Sequence, residues 1–126
     1  MLLKGQTVLV VEPENFSAYA LEQRLRDLMA DAVLLAKGVG EAFFHAGTHE
    51  RIGIAIVDCD ELGAGAEKLA ARLTDMGIRV VRTGGRKDAA AAEREPIEAS
   101  REACVPKPYD MIDIERAIAA QYGKVL

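Results

Sequence analysis

The sequence predicts an α/β fold in which helices cover both faces of a parallel β-sheet. Short apolar segments alternate with segments in which apolar residues recur every three or four positions, the pattern of strands followed by helices. Residues 52–57 are almost uninterrupted in their apolar character, which is typical of a strand buried on both faces at the centre of a parallel sheet. Strict alternation with short connections favours parallel strands joined by crossover helices.

The first strand is predicted at residues 7–11, an apolar run that stops at Glu12. A first helix follows, with apolar positions Phe16, Leu21, Leu25 and Leu28. Residues 32–36 form a second apolar run, closed by Lys37 and Gly38, and predict the second strand. The second helix is predicted from apolar residues at the spacing of one helical face: Val39, Ala42, Phe43 and Ala46.

The third strand, at residues 52–57, leads through a glycine-containing turn at residues 63–65 into a third helix. The apolar face of that helix is Leu69, Leu73 and Met76. Residues 78–82 predict the fourth strand. The segment 86–102 is crowded with charge and alanine and contains Pro96, so we expect a fourth helix that is short, broken or mobile.

Residues 103–105 predict a short fifth strand, and a last helix is expected to begin near Asp110. Its apolar stripe is Met111, Ile114, Ile118 and Tyr122. Right-handed crossovers leave few ways to thread such a chain. The expected solution is a flavodoxin-like doubly wound sheet of five parallel strands in the order 2-1-3-4-5.

Composition narrows the classes of function. The chain has 126 residues, the size of one domain, and a net charge of −4 at pH 7. We therefore expect neither nucleic acid nor an anionic membrane surface as a partner. No apolar stretch approaches the roughly 20 residues that cross a bilayer, and we expect a cytoplasmic protein. Cys59 and Cys104 have no metal-ligand spacing and are expected to be ordinary small side chains.

Polar residues follow four of the predicted strands where each apolar run ends: Glu12, Asp58, Thr83 and Lys107. In an open parallel sheet the carboxyl ends of the strands meet at one edge, where ligands bind. We therefore expect two acids, a hydroxyl and an amine to converge there. Taken singly, each has a simpler interpretation; Glu12 and Glu14, for example, equally suit the start of a helix, where the helix dipole favours acids.

These positions and their neighbours resemble the receiver domains of two-component response regulators. The matching segments are VLVVE at 8–12, IVD at 56–58, VVRTG at 80–84 and KPY at 107–109. The resemblance extends over essentially the whole chain and implies a single receiver domain at residues 1–126. In that family the Lys–Pro peptide bond, here between Lys107 and Pro108, is usually cis, a form that X–Pro bonds adopt at modest cost.

The resemblance implies that Asp58 accepts a phosphoryl group from a phosphohistidine on a sensor histidine kinase or phosphotransfer protein. Carboxylates can act as such nucleophiles, and Thr83 and Lys107 would hold the phosphoryl oxygens. It also implies Mg²⁺ bound by Glu12, Asp58 and the backbone carbonyl of Asp60, with Glu14 as a further candidate ligand. Beyond self-phosphotransfer and autodephosphorylation, no enzymatic activity is expected.

The sequence departs from the receiver pattern at two positions that bear on chemistry. Pro13 stands where receivers carry a second acid after the first strand, and proline has no ligand atom in its side chain. We therefore expect weakened Mg²⁺ affinity, with the carboxylates of Glu14 and Asp60 as candidate replacements, since residues two apart point the same way in an extended chain. Cys104 stands three positions before Lys107, where the family usually has an aromatic switch residue. The usual coupling between that aromatic residue and the threonine is not expected to operate unchanged.

Two other functions are compatible with the sequence. A degenerate receiver would bind partners without being phosphorylated, an alternative supported by Pro13. A phosphatase similar to the haloacid dehalogenases would use the acids of Asp58-Cys59-Asp60 after an apolar strand, although the downstream acidic motif of that group is absent. The downstream partner is not specified by the sequence. The resemblance implies, as one arrangement, a homodimer formed through helix 4, strand 5 and helix 5.

Overall fold

The computed structural model describes residues 2–49, 51–84 and 102–123. One parallel sheet has five strands in the order β2-β1-β3-β4-β5. The strands are β1 (Thr7–Val11), β2 (Ala32–Ala36), β3 (Ile52–Asp58), β4 (Arg79–Thr83) and β5 (Glu102–Val105). The predicted fold class and strand order are confirmed.

The helices of the described residues are α1 (Asn15–Asp27), α2 (Val39–Thr48), α3 (Cys59–Leu62), α4 (Ala64–Asp75) and α5 (Met111–Gln121). The single-turn helix α3 follows β3 directly and was not expected from the sequence, which predicted a turn at residues 63–65. Instead, Gly63 alone separates α3 from α4, with a positive φ of 56°. The helix expected within residues 86–102 lies outside the described residues, except that Glu102 begins β5.

The sheet is buried on both faces because alternate residues of its strands enter two separate apolar cores. On one face Leu9 and Val57 pack with residues of α2 and α4, such as Leu69. On the other face Val10 and Ile56 pack with side chains of α1 and α5. Each fully buried leucine or isoleucine stabilises the fold by about 1.5–3 kcal/mol. The rigid central strands therefore provide a fixed support for whatever follows their ends.

The register of the sheet brings the strand ends to one edge. Val11 pairs with Val57, Asp58 with Thr83, and Thr83 with Val105. Just beyond, the amide of Gly84 donates to the carbonyl of Val105 at 2.8 Å. Residues that follow β1, β3, β4 and β5 consequently lie side by side. Within the described part of the chain, no helix has the length and apolar character required to cross a membrane.

Candidate functional site

The structure brings together the side chains of Glu12, Asp58 and Lys107 at the carboxyl edge of the sheet, with Thr83 beside them in register. Nζ of Lys107 lies 3.0 Å from Oδ2 of Asp58. Asp58 is 1% exposed, Thr83 1% and Glu12 3%. Among the described residues these three are the buried polar or charged ones. Burying polar groups is costly unless they are paired, so their concentration at one edge marks a site.

The two carboxylate oxygens of Asp58 have different environments. Oδ1 accepts hydrogen bonds from the amides of Asp60 at 2.9 Å and Glu61 at 3.4 Å, and so caps the first turn of α3. Oδ2 faces Lys107. Burial alone would raise the pKa of Asp58, but hydrogen bonds from Lys107, Glu12 and the Asp60 amide outweigh it and lower the pKa. Asp58 is therefore ionised at neutral pH, the state in which a carboxylate can act as a nucleophile.

Lys107 follows β5 at the start of a Lys107–Pro108 peptide bond that is cis, as the resemblance implied. Burial favours the neutral amine, but the hydrogen bond to Asp58 and the charges of Asp58 and Glu12 outweigh it and raise the pKa of Lys107. The side chain is 32% exposed. Lys107 therefore provides a permanent positive charge on the solvent side of the buried Asp58 carboxylate.

Glu12 is the residue immediately after β1, and its Oε2 accepts a hydrogen bond from the amide of Glu14 at 3.1 Å. Burial, together with the neighbouring carboxylate of Asp58, raises the pKa of Glu12 to about 7, although the hydrogen bond from the Glu14 amide acts in the opposite direction. At neutral pH a substantial fraction of Glu12 is protonated and can donate a hydrogen bond to Asp58. The two acids thus share a proton instead of repelling each other as two full charges.

Glu14 has a different role in the structure. Its carboxylate is the N-cap of α1 and accepts from the amides of Phe16 at 2.9 Å and Ser17 at 2.7 Å, and from the hydroxyl of Ser17 at 2.8 Å. Those hydrogen bonds lower the pKa of Glu14. The simpler interpretation of this acid as part of a helix start is the one that the geometry supports.

The carboxylate of Asp60 lies on the solvent side of the site, next to Lys107. The sequence suggested this carboxylate as a candidate Mg²⁺ ligand but did not predict its position against Gly84. Oδ2 of Asp60 is 3.9 Å from Nζ of Lys107, and the side chain is 46% exposed. The same carboxylate lies directly against Gly84, where an added Cβ would overlap it. Gly84 has a φ of 68°, in the left-handed region that glycine adopts without strain. The Gly84-Gly85 pair after Thr83 was the only sequence signal of this close approach.

The donor set does not by itself fit a Mg²⁺ ion, which prefers several oxygen ligands in octahedral geometry. The carboxylates of Glu12 and Asp58 converge and that of Asp60 lies on the solvent side, but Pro13 contributes none and that of Glu14 caps α1. Within residues 2–49, 51–84 and 102–123, no group of three or more His, Cys, Asp or Glu side chains is arranged to hold a metal. Mg²⁺ binding through Glu12, Asp58 and the Asp60 carbonyl stays a prediction.

The cysteines near the site are free thiols. Burial raises the pKa of Cys59 to about 11, which keeps this thiol protonated and a poor nucleophile. Sγ of Cys104 lies 3.7 Å from the carbonyl of Gly84. The small Cys104 side chain therefore contacts the segment next to Thr83, at the position where receiver domains usually have an aromatic residue.

Comparison with known proteins gives structural matches only. No model of a known protein family matches the chain, and no curated sequence matches it significantly. The signal receiver domain of a modulated diguanylate cyclase from Desulfovibrio desulfuricans G20 is similar with a TM-score of 0.70 and 24% identity. That comparison covers 93% of this chain and 94% of the other.

Two further solved structures are similar over nearly their whole length. The signal receiver domain of a DNA-binding response regulator (merR) from Colwellia psychrerythraea 34H has a TM-score of 0.73 and 19% identity, covering 94% of this chain and 99% of that one. SdrG from Pseudomonas melonis Fr1, in its BeF3-activated conformation, has a TM-score of 0.66 and 27% identity, covering 90% of this chain and 93% of that one.

Proposed function

Because the chain has the fold of a response-regulator receiver domain, we propose that it takes a phosphoryl group onto Asp58 and thereby switches its interactions with other proteins. The observation that carries this proposal is the 3.0 Å contact between Nζ of Lys107 and Oδ2 of Asp58. The contact lies at the sheet edge where Asp58 and Thr83 pair in register. A nucleophile, a cation and a hydroxyl are the groups that such a transfer needs.

In the proposed transfer, Oδ2 of Asp58 attacks the phosphorus of a phosphohistidine on a sensor kinase or phosphotransfer protein. A P–O bond forms, the P–N bond breaks, and its electron pair stays on the imidazole nitrogen of the donor. Oδ1 remains engaged as the cap of α3, so Oδ2 is the available nucleophile. Lys107 then neutralises charge on the phosphoryl oxygens, and the hydroxyl of Thr83 donates a hydrogen bond to them.

The proton on Glu12 favours the same chemistry. With Glu12 neutral, Asp58 and Lys107 form a balanced pair, and the incoming phosphoryl oxygens meet one buried carboxylate instead of two. Like charges in one pocket would oppose the approach of a further anion. The transfer is therefore expected to slow as Glu12 ionises above neutral pH.

Access to Asp58 is controlled by its neighbours, since it is only 1% exposed. The side chains of Lys107 and Asp60 are 32% and 46% exposed and form the outer layer of the pocket. Both are charged and partly exposed, so they can move away from Asp58 at less cost than the buried apolar core can. A donor therefore reaches Oδ2 from the side of Lys107 and Asp60.

Incubation with acetyl phosphate, followed by intact mass measurement, tests the proposal. The wild type should gain one phosphoryl group, and Asp58→Asn should gain none. Asp75→Asn, at the exposed end of α4, is the matched control and should behave like the wild type. BeF3⁻ is a second probe, because SdrG has a BeF3-activated conformation. Absence of any Asp58-dependent adduct, with or without Mg²⁺, would count against phosphotransfer.

A second candidate is a receiver that binds partners without phosphorylation. It is favoured by Pro13, by the use of the Glu14 carboxylate as a helix cap, and by a pocket whose charges are already balanced by Lys107. For this candidate, partner binding would be unchanged in Asp58→Asn. Sustained hydrolysis of phosphate esters would instead indicate the phosphatase alternative. A homodimer through the predicted fourth helix (within residues 86–102), β5 and the last helix, α5, stays a prediction, and that predicted fourth helix lies outside the described residues.

A further inference from the structure

The carboxylate of Asp60 occupies the approach to the pocket. It lies against Gly84, the residue after Thr83, and 3.9 Å from Nζ of Lys107. Nζ of Lys107 in turn lies 3.0 Å from Asp58. One ammonium group thus faces two carboxylates, one buried at 1% exposure and one 46% exposed on the solvent side.

An anion entering the pocket from solvent would occupy the same position as the Asp60 carboxylate. Its oxygens would approach Lys107, because this cation is the one paired with Asp58, and they would lie near the Thr83–Gly84 edge. The side chain of Asp60 already places oxygens between Lys107 and Gly84. Two anions cannot share these positions without strong repulsion in a partly buried pocket.

We propose that Asp60 is a positioning residue that acts as an internal competitor, with its carboxylate holding Lys107 until an incoming phosphoryl group displaces it. This inference rests on the proposed function, and it identifies Asp60 as a residue that sets the rate of phosphoryl transfer to Asp58. Phosphorylation would require Asp60 to swing outward, and loss of the phosphoryl group would let it return. The 46% exposure of the side chain gives it room to rotate into solvent without unpacking the core.

The effect of the Asp60 charge on Lys107 can be separated from the structural role of Asp60 in α3. Asp60 belongs to the one-turn helix α3, whose first turn is capped by the hydrogen bond that the Asp60 amide donates to Oδ1 of Asp58. Asp60→Asn preserves the size of the side chain and this backbone cap while it removes the charge. Glu61→Gln removes a charge from the next residue of the same turn, which is exposed, and is the matched control.

The experiment has two arms. In an Asp58→Asn background no transfer to Asp58 can occur, so binding of inorganic phosphate, followed by the amide resonances of Thr83 and Gly84, reports anion competition alone. Adding Asp60→Asn should tighten this binding about tenfold, as expected for loss of one nearby partly exposed charge. Adding Glu61→Gln should change it less than about twofold. With Asp58 intact, Asp60→Asn should accelerate adduct formation from acetyl phosphate by a similar factor.

Salt provides a further check. Screening at about 1 M ionic strength should reduce the difference in phosphate affinity between the Asp58→Asn protein with and without Asp60→Asn. Equal phosphate binding with and without Asp60→Asn would overturn the inference, whatever the outcome with acetyl phosphate. Tighter phosphate binding without any Asp58 adduct would instead leave Asp60 as an anion competitor and refute the proposed function. Slower adduct formation in Asp60→Asn would also contradict the competitor role.

Discussion

Oδ2 of Asp58 and Nζ of Lys107 are 3.0 Å apart although 49 positions separate them in the sequence. The contact spans one strand, since β4 lies between β3, which ends at Asp58, and β5, which leads to Lys107. It lowers the pKa of Asp58 and raises the pKa of Lys107 despite burial of both groups. The pair therefore sets the charge state of the site.

Lys107→Met should raise the pKa of Asp58 and abolish the phosphoryl adduct on Asp58. The substitution removes the Lys107 hydrogen bond, which is the main cause that lowers the pKa of Asp58 against burial. A ¹³C NMR titration of the carboxyl groups measures the first effect and intact mass the second. Lys68→Met, on the exposed surface of α4, is the matched control. An unchanged Asp58 titration would mean that the ion pair does not persist in solution.

The same pair predicts a pH window of stability. Asp58 has a lowered pKa in the folded protein. Its contribution to the free energy of unfolding is therefore present above its ordinary pKa of 3.8 and is lost as pH falls through the folded pKa. Lys107 has a raised pKa in the folded protein. Its contribution to the free energy of unfolding is therefore present below its ordinary pKa of 10.5 and is lost as pH rises through the folded pKa. Wild type and Lys107→Met should differ most in unfolding free energy between these limits, measured by urea denaturation.

Glu12→Gln should stabilise the protein at alkaline pH. The folded state holds a proton on Glu12 up to a pKa of about 7, whereas the ordinary value is 4.5. Wild-type stability therefore falls as pH rises between these values, by up to about 3 kcal/mol. Glutamine has no proton to lose, so the variant should be more stable than the wild type at pH 8 and similar at pH 4. Glu41→Gln, on the exposed surface of α2, should show no such divergence.

Much of this site was predictable because strand ends are visible in the sequence. Apolar runs that stop at Glu12, Asp58 and Thr83 indicate both the strands and the edge at which they end, and parallel pairing then forces these residues together. Lys107 follows from the same reasoning. The strand order followed from short right-handed crossovers.

Other features depended on geometry that residue patterns do not encode. The four residues of α3 are too few to show helical periodicity, and their helix depends on the side chain of Asp58 as a cap. The placement of the Asp60 carboxylate against Gly84 depends on the same turn. The capping role of Glu14 was one of two open interpretations, and only the orientation of its side chain favours it.

Pro13→Asp should restore a metal-binding acid next to Glu12. The wild type should bind Mg²⁺ only weakly, because Pro13 adds no ligand to the carboxylates of Glu12, Asp58 and Asp60. The variant should bind at least about tenfold more tightly, the effect of adding one charged oxygen ligand to a hard cation site. Amide chemical shifts near Asp58 during a Mg²⁺ titration provide the measurement. Pro13→Asn makes the same backbone change without the charge, and equal affinity in both variants would contradict the prediction.

Gly84→Ala should destabilise the fold and reveal the contact with Asp60. Its φ of 68° is unfavourable for alanine, which costs about 1–2 kcal/mol, and the new methyl group would overlap the Asp60 carboxylate. Gly77→Ala is the matched control, since Gly77 has a φ of 83° and nothing within 4 Å of an added Cβ. In an Asp60→Ala background the cost of Gly84→Ala should fall to that of Gly77→Ala, a coupling of about 0.5–3 kcal/mol in urea unfolding. Strictly additive effects would mean that Asp60 does not rest on Gly84 in solution.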